Sequence, residues 1–163
     1  MKQLFRGTAA ICLYLAAACP AYGGVIYWSE WFGGNIQRAN LDGTGAQDVV
    51  TGLNMPETIA VDPTGGKVYW SESGRIARAN LDGSSIQSLV TTAQVPGLSV
   101  FGLVLDVATG KLYWGNPADA TVRRVNLDGS GSVDTIVTGV AGGFGVAVDA
   151  TNGFIYAMDN GGS

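Results

Sequence analysis

A repeat constrains this chain more than any other feature. Tyr27-Trp28-Ser29-Glu30 returns as Tyr69-Trp70-Ser71-Glu72 and as Tyr113-Trp114-Gly115-Asn116, then decays to Tyr156-Ala157-Met158-Asp159. The four tyrosines stand 42, 44 and 43 residues apart. Arg38-Ala39-Asn40-Leu41-Asp42-Gly43 keeps the same beat through Arg78-Ala79-Asn80-Leu81-Asp82-Gly83 and Arg124-Val125-Asn126-Leu127-Asp128-Gly129. Val61-Asp62, Leu105-Asp106 and Val148-Asp149 form a third series, each followed by a Gly-containing turn. A unit that recurs in this way buries its apolar faces by stacking on its neighbours. Between the markers run short segments rich in Val, Ile, Tyr and Trp, set apart by Gly, Asp, Asn and Pro. That is the punctuation of strands and turns rather than of helices. In the second repeat it predicts strands over 57–62, 67–72, 75–81 and 86–91. Asp82-Gly83 closes a hairpin, because both residues tolerate positive φ. Four short strands per repeat make a β-propeller blade, so the fold class is all-β, with blades of four antiparallel strands.

The pairing of Tyr-Trp-Ser-Glu with Asn-Leu-Asp-Gly resembles the YWTD repeat, also called the low-density lipoprotein receptor class B repeat, over nearly all of residues 25–159. The resemblance implies a six-bladed, TolB-like propeller that serves as an extracellular protein-binding platform. The chain departs from the motif in places. Glu30 and Glu72 replace its Asp, Asn116 does so in the third copy, and Ala157 loses the Trp in the fourth.

The first residues read differently. Lys2 and Arg6 precede an uncharged apolar run over 8–18, and Ala21 and Gly23 put small residues at the −3 and −1 positions of a cleavage site. Residues 1–23 read as a secretory signal peptide; the run is shorter than the roughly 20 apolar residues of a membrane span. The expected location is secreted, periplasmic or at the cell surface. Cys12 and Cys19 are the only cysteines, so the mature chain has none to pair. Leu15-Ala16-Ala17-Ala18-Cys19 also loosely resembles a bacterial lipobox, but Ala16 at its −3 position is a poor match, so a lipid anchor at Cys19 is not the expectation. Without Lys2 and Arg6, seven basic residues stand against thirteen acidic ones, a net charge of −6. That charge argues against nucleic acid as a partner. The absence of His excludes His-based acid–base chemistry and, with no mature Cys, the common zinc ligand sets. No cofactor or metal is expected.

The repeats fall at about 25–56, 57–97, 98–142 and 143–163, which makes about three and a half blades in an open arc. The mature chain enters at strand two of its first blade, over 25–30, with no inner strand of its own, and leaves after strand two of its fourth. The expectation is a propeller cut at its C-terminus. The alternative is a short protein that closes a ring by self-association through its open blade edges.

Residues that recur in every blade read as scaffold: Tyr27, Trp28, Glu30, Arg38, Tyr69, Trp70, Glu72, Arg78, Tyr113, Trp114 and Arg124. An arginine packed between blades needs a carboxylate, so Arg38, Arg78 and Arg124 are expected to pair with Glu30 and Glu72. Asp42, Asp82 and Asp128 read as turn formers rather than calcium ligands. Local function is expected on residues that break the repeat, at the loops joining strand two to three and blade to blade. Trp31 and Phe32 stand where the second blade has only Ser73-Gly74. Asn54, Met55 and Glu57 lie in the link to the second blade, and Asp119 lies in an insertion of the third. Exposed aromatics beside small and polar residues suit contacts with another protein or a glycan. The expected function is therefore an exported, non-catalytic binding or scaffold module. The alternative is the N-terminal part of a propeller hydrolase or lactonase-like enzyme, in which Glu57 is the one candidate acid near the central axis.

Overall fold

The inner strand of the second blade, β5 (Ile59–Asp62), leads outward through β6 (Lys67–Glu72) and β7 (Arg75–Asn80) to β8 (Gln87–Thr91) in one antiparallel sheet. The structure, a computed structural model, describes residues 14–15, 24–142 and 145–159. The third blade repeats the order with β9 (Phe101–Asp106), β10 (Lys111–Asn116), β11 (Thr121–Asn126) and β12 (Asp134–Thr138). The first blade holds β2 (Val25–Glu30), β3 (Asn35–Asn40) and β4 (Gln47–Val50), and β13 (Val146–Asp149) with β14 (Phe154–Ala157) forms a two-stranded fourth sheet. Registers repeat as the sequence does: Tyr27 faces Arg38, Tyr69 faces Arg78 and Tyr113 faces Arg124. Each outer strand slips register at the same place, after Ile36, Ile76 and Val122. Such a slip increases the local twist.

The leader expected over 1–23 lies outside the described residues apart from β1 (Tyr14–Leu15), and so do Cys12 and Cys19. β1 pairs antiparallel with β2, Tyr14 opposite Tyr27 and Leu15 opposite Ile26. The inner place of the first blade, expected to be vacant, thus holds Tyr14 and Leu15. The open edge of β2 offers unpaired backbone groups that a nearby extended segment can satisfy.

Side chains alternate across each strand, so each of the first three blades has a Tyr face and a Trp face. The Tyr face of the first blade (Tyr27, Ile36, Val50) packs on the Trp face of the second (Val68, Trp70, Ala77, Ala79). The Tyr face of the second (Tyr69, Ile76, Leu89, Val90) meets Leu112, Trp114 and Val125 of the third. The third meets Val146, Val148 and Ile155. Trp70 and Trp114 are fully buried in these seams.

The arginines correct an expectation. Among the described residues none of Arg38, Arg78 and Arg124 pairs with a glutamate. Arg78 Nη1 donates to the carbonyl oxygen of Leu127 in the next blade at 2.7 Å, while Nε and Nη2 hold Gln87 Oε1 at 3.1 and 2.9 Å. Arg38 Nη1 reaches the Leu81 carbonyl at 3.5 Å, and Tyr27 Oη donates to the same oxygen at 3.3 Å. Arg124 is bound by Asp134 at 3.2 Å. Glu72 serves a different knot: Oε1 accepts from Trp70 Nε1 at 3.0 Å and Arg75 Nε at 2.6 Å, and Oε2 accepts from the Asn54 backbone N–H at 2.8 Å. The reason is alternation. Arg78 stands opposite Tyr69 and shares the Tyr face; Glu72 follows Trp70 by two and shares the Trp face.

The hairpin aspartates do as expected. Asp42, Asp82 and Asp128 accept the backbone N–H of Thr44, Ser84 and Ser130 at 2.9 Å. The side-chain hydroxyls of those partners, ahead of the backbone bonds, hold the three carboxyls below the usual range.

Truncating a fully buried Trp leaves a cavity the seam cannot fill. Trp70→Ala should cost about 4 kcal/mol in denaturant unfolding, whereas Trp31→Ala, at an exposed position, should shift the same curve by less than about 1 kcal/mol.

Candidate functional site

Opposite the Asp-Gly hairpins, the Trp31–Gly34 turn between β2 and β3 breaks the repeat. Gly34 permits it: φ is +64, and the Leu53 carbonyl oxygen lies 2.5 Å from where a Cβ would stand. The Leu53 N–H donates to the Gly34 oxygen at 2.8 Å, which ties the turn to the chain leaving β4. That chain is tied in turn to the second blade, through Asn54 N–H to Glu72 and Ser73 N–H to the Asn54 oxygen at 2.9 Å. Turn, linker and second-blade turn therefore form one backbone-bonded strip across two blades.

The strip carries apolar groups outward. Phe32 is 77% exposed, Met55 47% and Trp31 41%. The Trp31 and Phe32 rings touch, with centroids 5.1 Å apart and planes tilted by 48°. Met55 adopts φ +52, a left-handed conformation that costs a non-glycine residue free energy and concentrates at functional sites.

Glu57 sits at the inner end of the strip, where the third blade has Phe101. Its N–H donates to the Ser71 oxygen at 2.9 Å, and its own carbonyl oxygen accepts from Ser29 Oγ at 3.3 Å. Among the described residues its carboxylate has no hydrogen-bond or ion partner, and burial pushes its pKa up. The structure brings Trp31, Phe32, Asn54, Met55 and Glu57 onto this strip; Asp119 is not among them. Asp119 lies in the β10–β11 turn of the third blade, and its own loop saturates it: Thr121 Oγ1 at 2.6 Å, Arg123 Nη2 at 2.5 Å and Asn116 Nδ2 at 2.8 Å. Burial pushes its pKa up, but the bonds from Thr121 and Arg123 outweigh it and hold the carboxyl low.

Sequence reasoning missed Asn116. Where Glu72 accepts the Trp70 indole N–H, Asn116 turns its oxygen to the Ser99 N–H at 2.9 Å. Among the described residues Trp114 Nε1 is then buried without a partner. The departure from the motif at that position is the signal that could have revealed it. An open groove of about 490 Å³ between blades two and three is lined by Asp62, Lys67, Tyr69, Arg78, Asn126 and Asp128. All six belong to the repeat, which marks the groove as a seam. Among the described residues no group of three His, Cys, Asp or Glu is placed to hold a metal, and no helix is long and apolar enough to cross a membrane.

Blades of this repeat, stacked through alternating Tyr and Trp faces, define a YWTD-type β-propeller, and known proteins agree. The chain is 33% identical over 148 residues to low-density lipoprotein receptor-related protein 1 of Pyricularia oryzae, covering 78% of this chain and 48% of that protein. It is 40% identical over 52 residues to human low-density lipoprotein receptor-related protein 5-like protein, covering 31% of this chain and 21% of that one. It superposes on a chain of the nidogen/laminin complex with a TM-score of 0.73 at 26% identity, over 83% of this chain and 52% of the other. The Staphylococcus aureus virginiamycin B lyase gives 0.68 at 14% identity, over 94% and 50%, and shares the fold alone. No family model matches. The chain belongs to the YWTD, or low-density lipoprotein receptor class B, repeat propellers. It spans about half the length or less of the curated relatives it matches.

The raised pKa of Glu57 gives a signed prediction. Its stabilising contribution is complete below the unfolded value of 4.5 and is lost as pH rises through the folded value. Glu57→Gln should therefore melt higher than the natural chain at pH 7, with the gap closing below pH 4.5. Thermal melts of both across pH measure it; a gap that widens in acid would contradict the desolvated carboxylate.

Proposed function

We propose that this chain is a non-catalytic protein-binding propeller module acting outside the cytoplasm, and that the Trp31–Phe32 turn with Asn54, Met55 and Glu57 forms its contact surface. The observation that carries the reading is the exposed, touching pair Trp31 and Phe32 on a backbone-bonded strip. Large, rigid aromatics are the residue types that dominate binding energy at interfaces, and a desolvated carboxylate beside them favours a basic group on the partner. The relatives support the reading: one superposed chain comes from a complex of nidogen with laminin. Asp119, occupied by its own loop, belongs to the surface only as a rim group. The neighbour named as a lyase supports the fold and no reaction, and Glu57 alone does not make a catalytic pair.

Binding should be lost when Trp31 and Phe32 are both replaced by Ala, with the melting temperature nearly unchanged. The measurement is paired capture of extracellular proteins, and binding to a glycan array, by the natural and variant chains. Loss of folding in the variant would make the two rings scaffold instead. We propose too that residues 1–23 are a signal peptide and that the propeller domain begins at residue 24. N-terminal sequencing of the exported protein should begin at Gly24; an intact Met1, or a lipid-blocked Cys19, would contradict it.

A further inference from the structure

In the link between the first two blades the chain turns on one residue. Met55 stands at φ +52, a conformation in which the Cβ of an L-residue crowds the following carbonyl oxygen. Pro56 comes next, and the residue before a proline is driven toward extended backbone. Nothing in the local sequence therefore favours the turn that Met55 makes. The register shows what such a turn ordinarily takes. Ile59 opens β5 opposite Trp70, and Val146 opens β13 opposite Ala157. Four residues before each stand Met55 and Gly142, and Gly142 has φ +74. The later link turns on a glycine, which adopts that conformation freely; the earlier one turns on a methionine.

The neighbours of Met55 are fixed on both sides. The Asn54 N–H donates to Glu72 Oε2 at 2.8 Å, and the Asn54 oxygen accepts the Ser73 N–H at 2.9 Å. Leu53 before it is buried and bonded to Gly34 at 2.8 Å. On the far side Pro56 is buried, and the Glu57 N–H donates to the Ser71 oxygen at 2.9 Å. Glu72 is itself held. Its side chain is buried, and its other oxygen accepts from Trp70 Nε1 at 3.0 Å and Arg75 Nε at 2.6 Å. A carboxylate fixed in this way sets the Asn54 peptide plane, and the chain rejoins β5 by turning left-handed at 55.

What the turn delivers is a side chain. Met55 is half exposed between the buried Leu53 and Pro56, so packing alone would be served as well by glycine. Strained residues persist where the surrounding structure over-determines them, and they cluster at sites of function. A thioether is polarizable and adapts to aromatic and aliphatic groups alike.

We propose, resting on the loop-face reading, that Met55 is a specificity-determining residue of the contact surface and that Glu72 is its positioning residue. Met55 takes an apolar side chain of the protein partner. Because Glu72 holds the link before any partner arrives, binding does not have to order it.

A double-mutant cycle on the full chain tests this. Met55→Gly and Met55→Ala both lose the side chain, and only the glycine sheds the strain. In denaturant unfolding the folding constant of Met55→Gly should exceed that of Met55→Ala by about threefold or more. Glu72→Met keeps the length and removes the acceptor, and in that background the ratio should fall close to one. A merely structural Glu72 would cost the same in both. Hydrogen exchange of the Asn54 amide in the natural chain reads the clamp without a variant at Glu72. Protection within about tenfold of the β6 amides supports it, and exchange at the free rate overturns it. The immobilised natural chain, Met55→Gly and the Trp31→Ala, Phe32→Ala chain are then compared for retention of proteins from an extract of culture medium. Proteins whose retention needs the two rings should bind Met55→Gly more weakly by about tenfold or more. Proteins that need the rings and ignore Met55 overturn the proposal alone. So does a glycine-to-alanine ratio of one, or a ratio that Glu72→Met leaves unchanged. If no retained protein needs the rings, the loop-face reading fails and this proposal with it.

Discussion

The arrangement of this chain depends on the contact between the Tyr face of one blade and the Trp face of the next. A four-stranded sheet has two faces, and neither can stay bare in water when it carries Tyr69 on one side and Trp70 on the other. Stacking solves both at once. Burial of large apolar side chains supplies the driving force, but it is non-directional and would tolerate sliding. The arginine bond to the next blade's carbonyl is directional, and with the close approach of Gly83 and Gly129 to the preceding outer strand it sets where the faces meet.

The loop strip is held by other bonds. Leu53 to Gly34, Asn54 to Glu72 and Ser73 to Asn54 all run along backbone or into the Glu72 knot. None of them uses the Trp31 or Phe32 ring. The scaffold therefore fixes the position of the turn and leaves the identity of its exposed side chains free, a separation seen wherever rigid frames present variable loops. The third blade shows what a small departure does: exchanging a glutamate for Asn116 leaves the fold in place and orphans one indole N–H.

Much of the fold was legible because two periods act together. Alternation within strands and recurrence between blades place β6 over 67–72 without ambiguity. β5 begins two residues later than expected, since Glu57 and Thr58 bond to Ser71 out of ladder order, Thr58 N–H reaching Ser71 Oγ at 3.1 Å. Charge complementarity alone points the arginines at Glu30 and Glu72, but side-chain direction decides the partner. Arg78 and Glu72 lie on opposite faces, and their strand positions differ by three residues, about 10 Å along the sheet. A main-chain acceptor leaves no mark in composition, so Leu127 could not be named from charge alone. Among candidate site residues, the linkage of the Trp31 turn to the 53–55 segment follows from loops sharing one end of the blades. The internal consumption of Asp119 depends on rotamers that spacing does not specify.

The acceptor of each seam bond is a backbone oxygen, and this has a consequence for how such a chain can drift. Substitution at Leu81 or Leu127 changes the side chain and leaves the oxygen where it was. That bond is thus vulnerable to side-chain substitution on one side only, at the arginine. Hairpins of many sequences can dock on the same arginine provided their backbone turns in the same way. Blades of different origin are in that sense interchangeable parts, and a run of them can lengthen or shorten by duplication without a matching change in its neighbours.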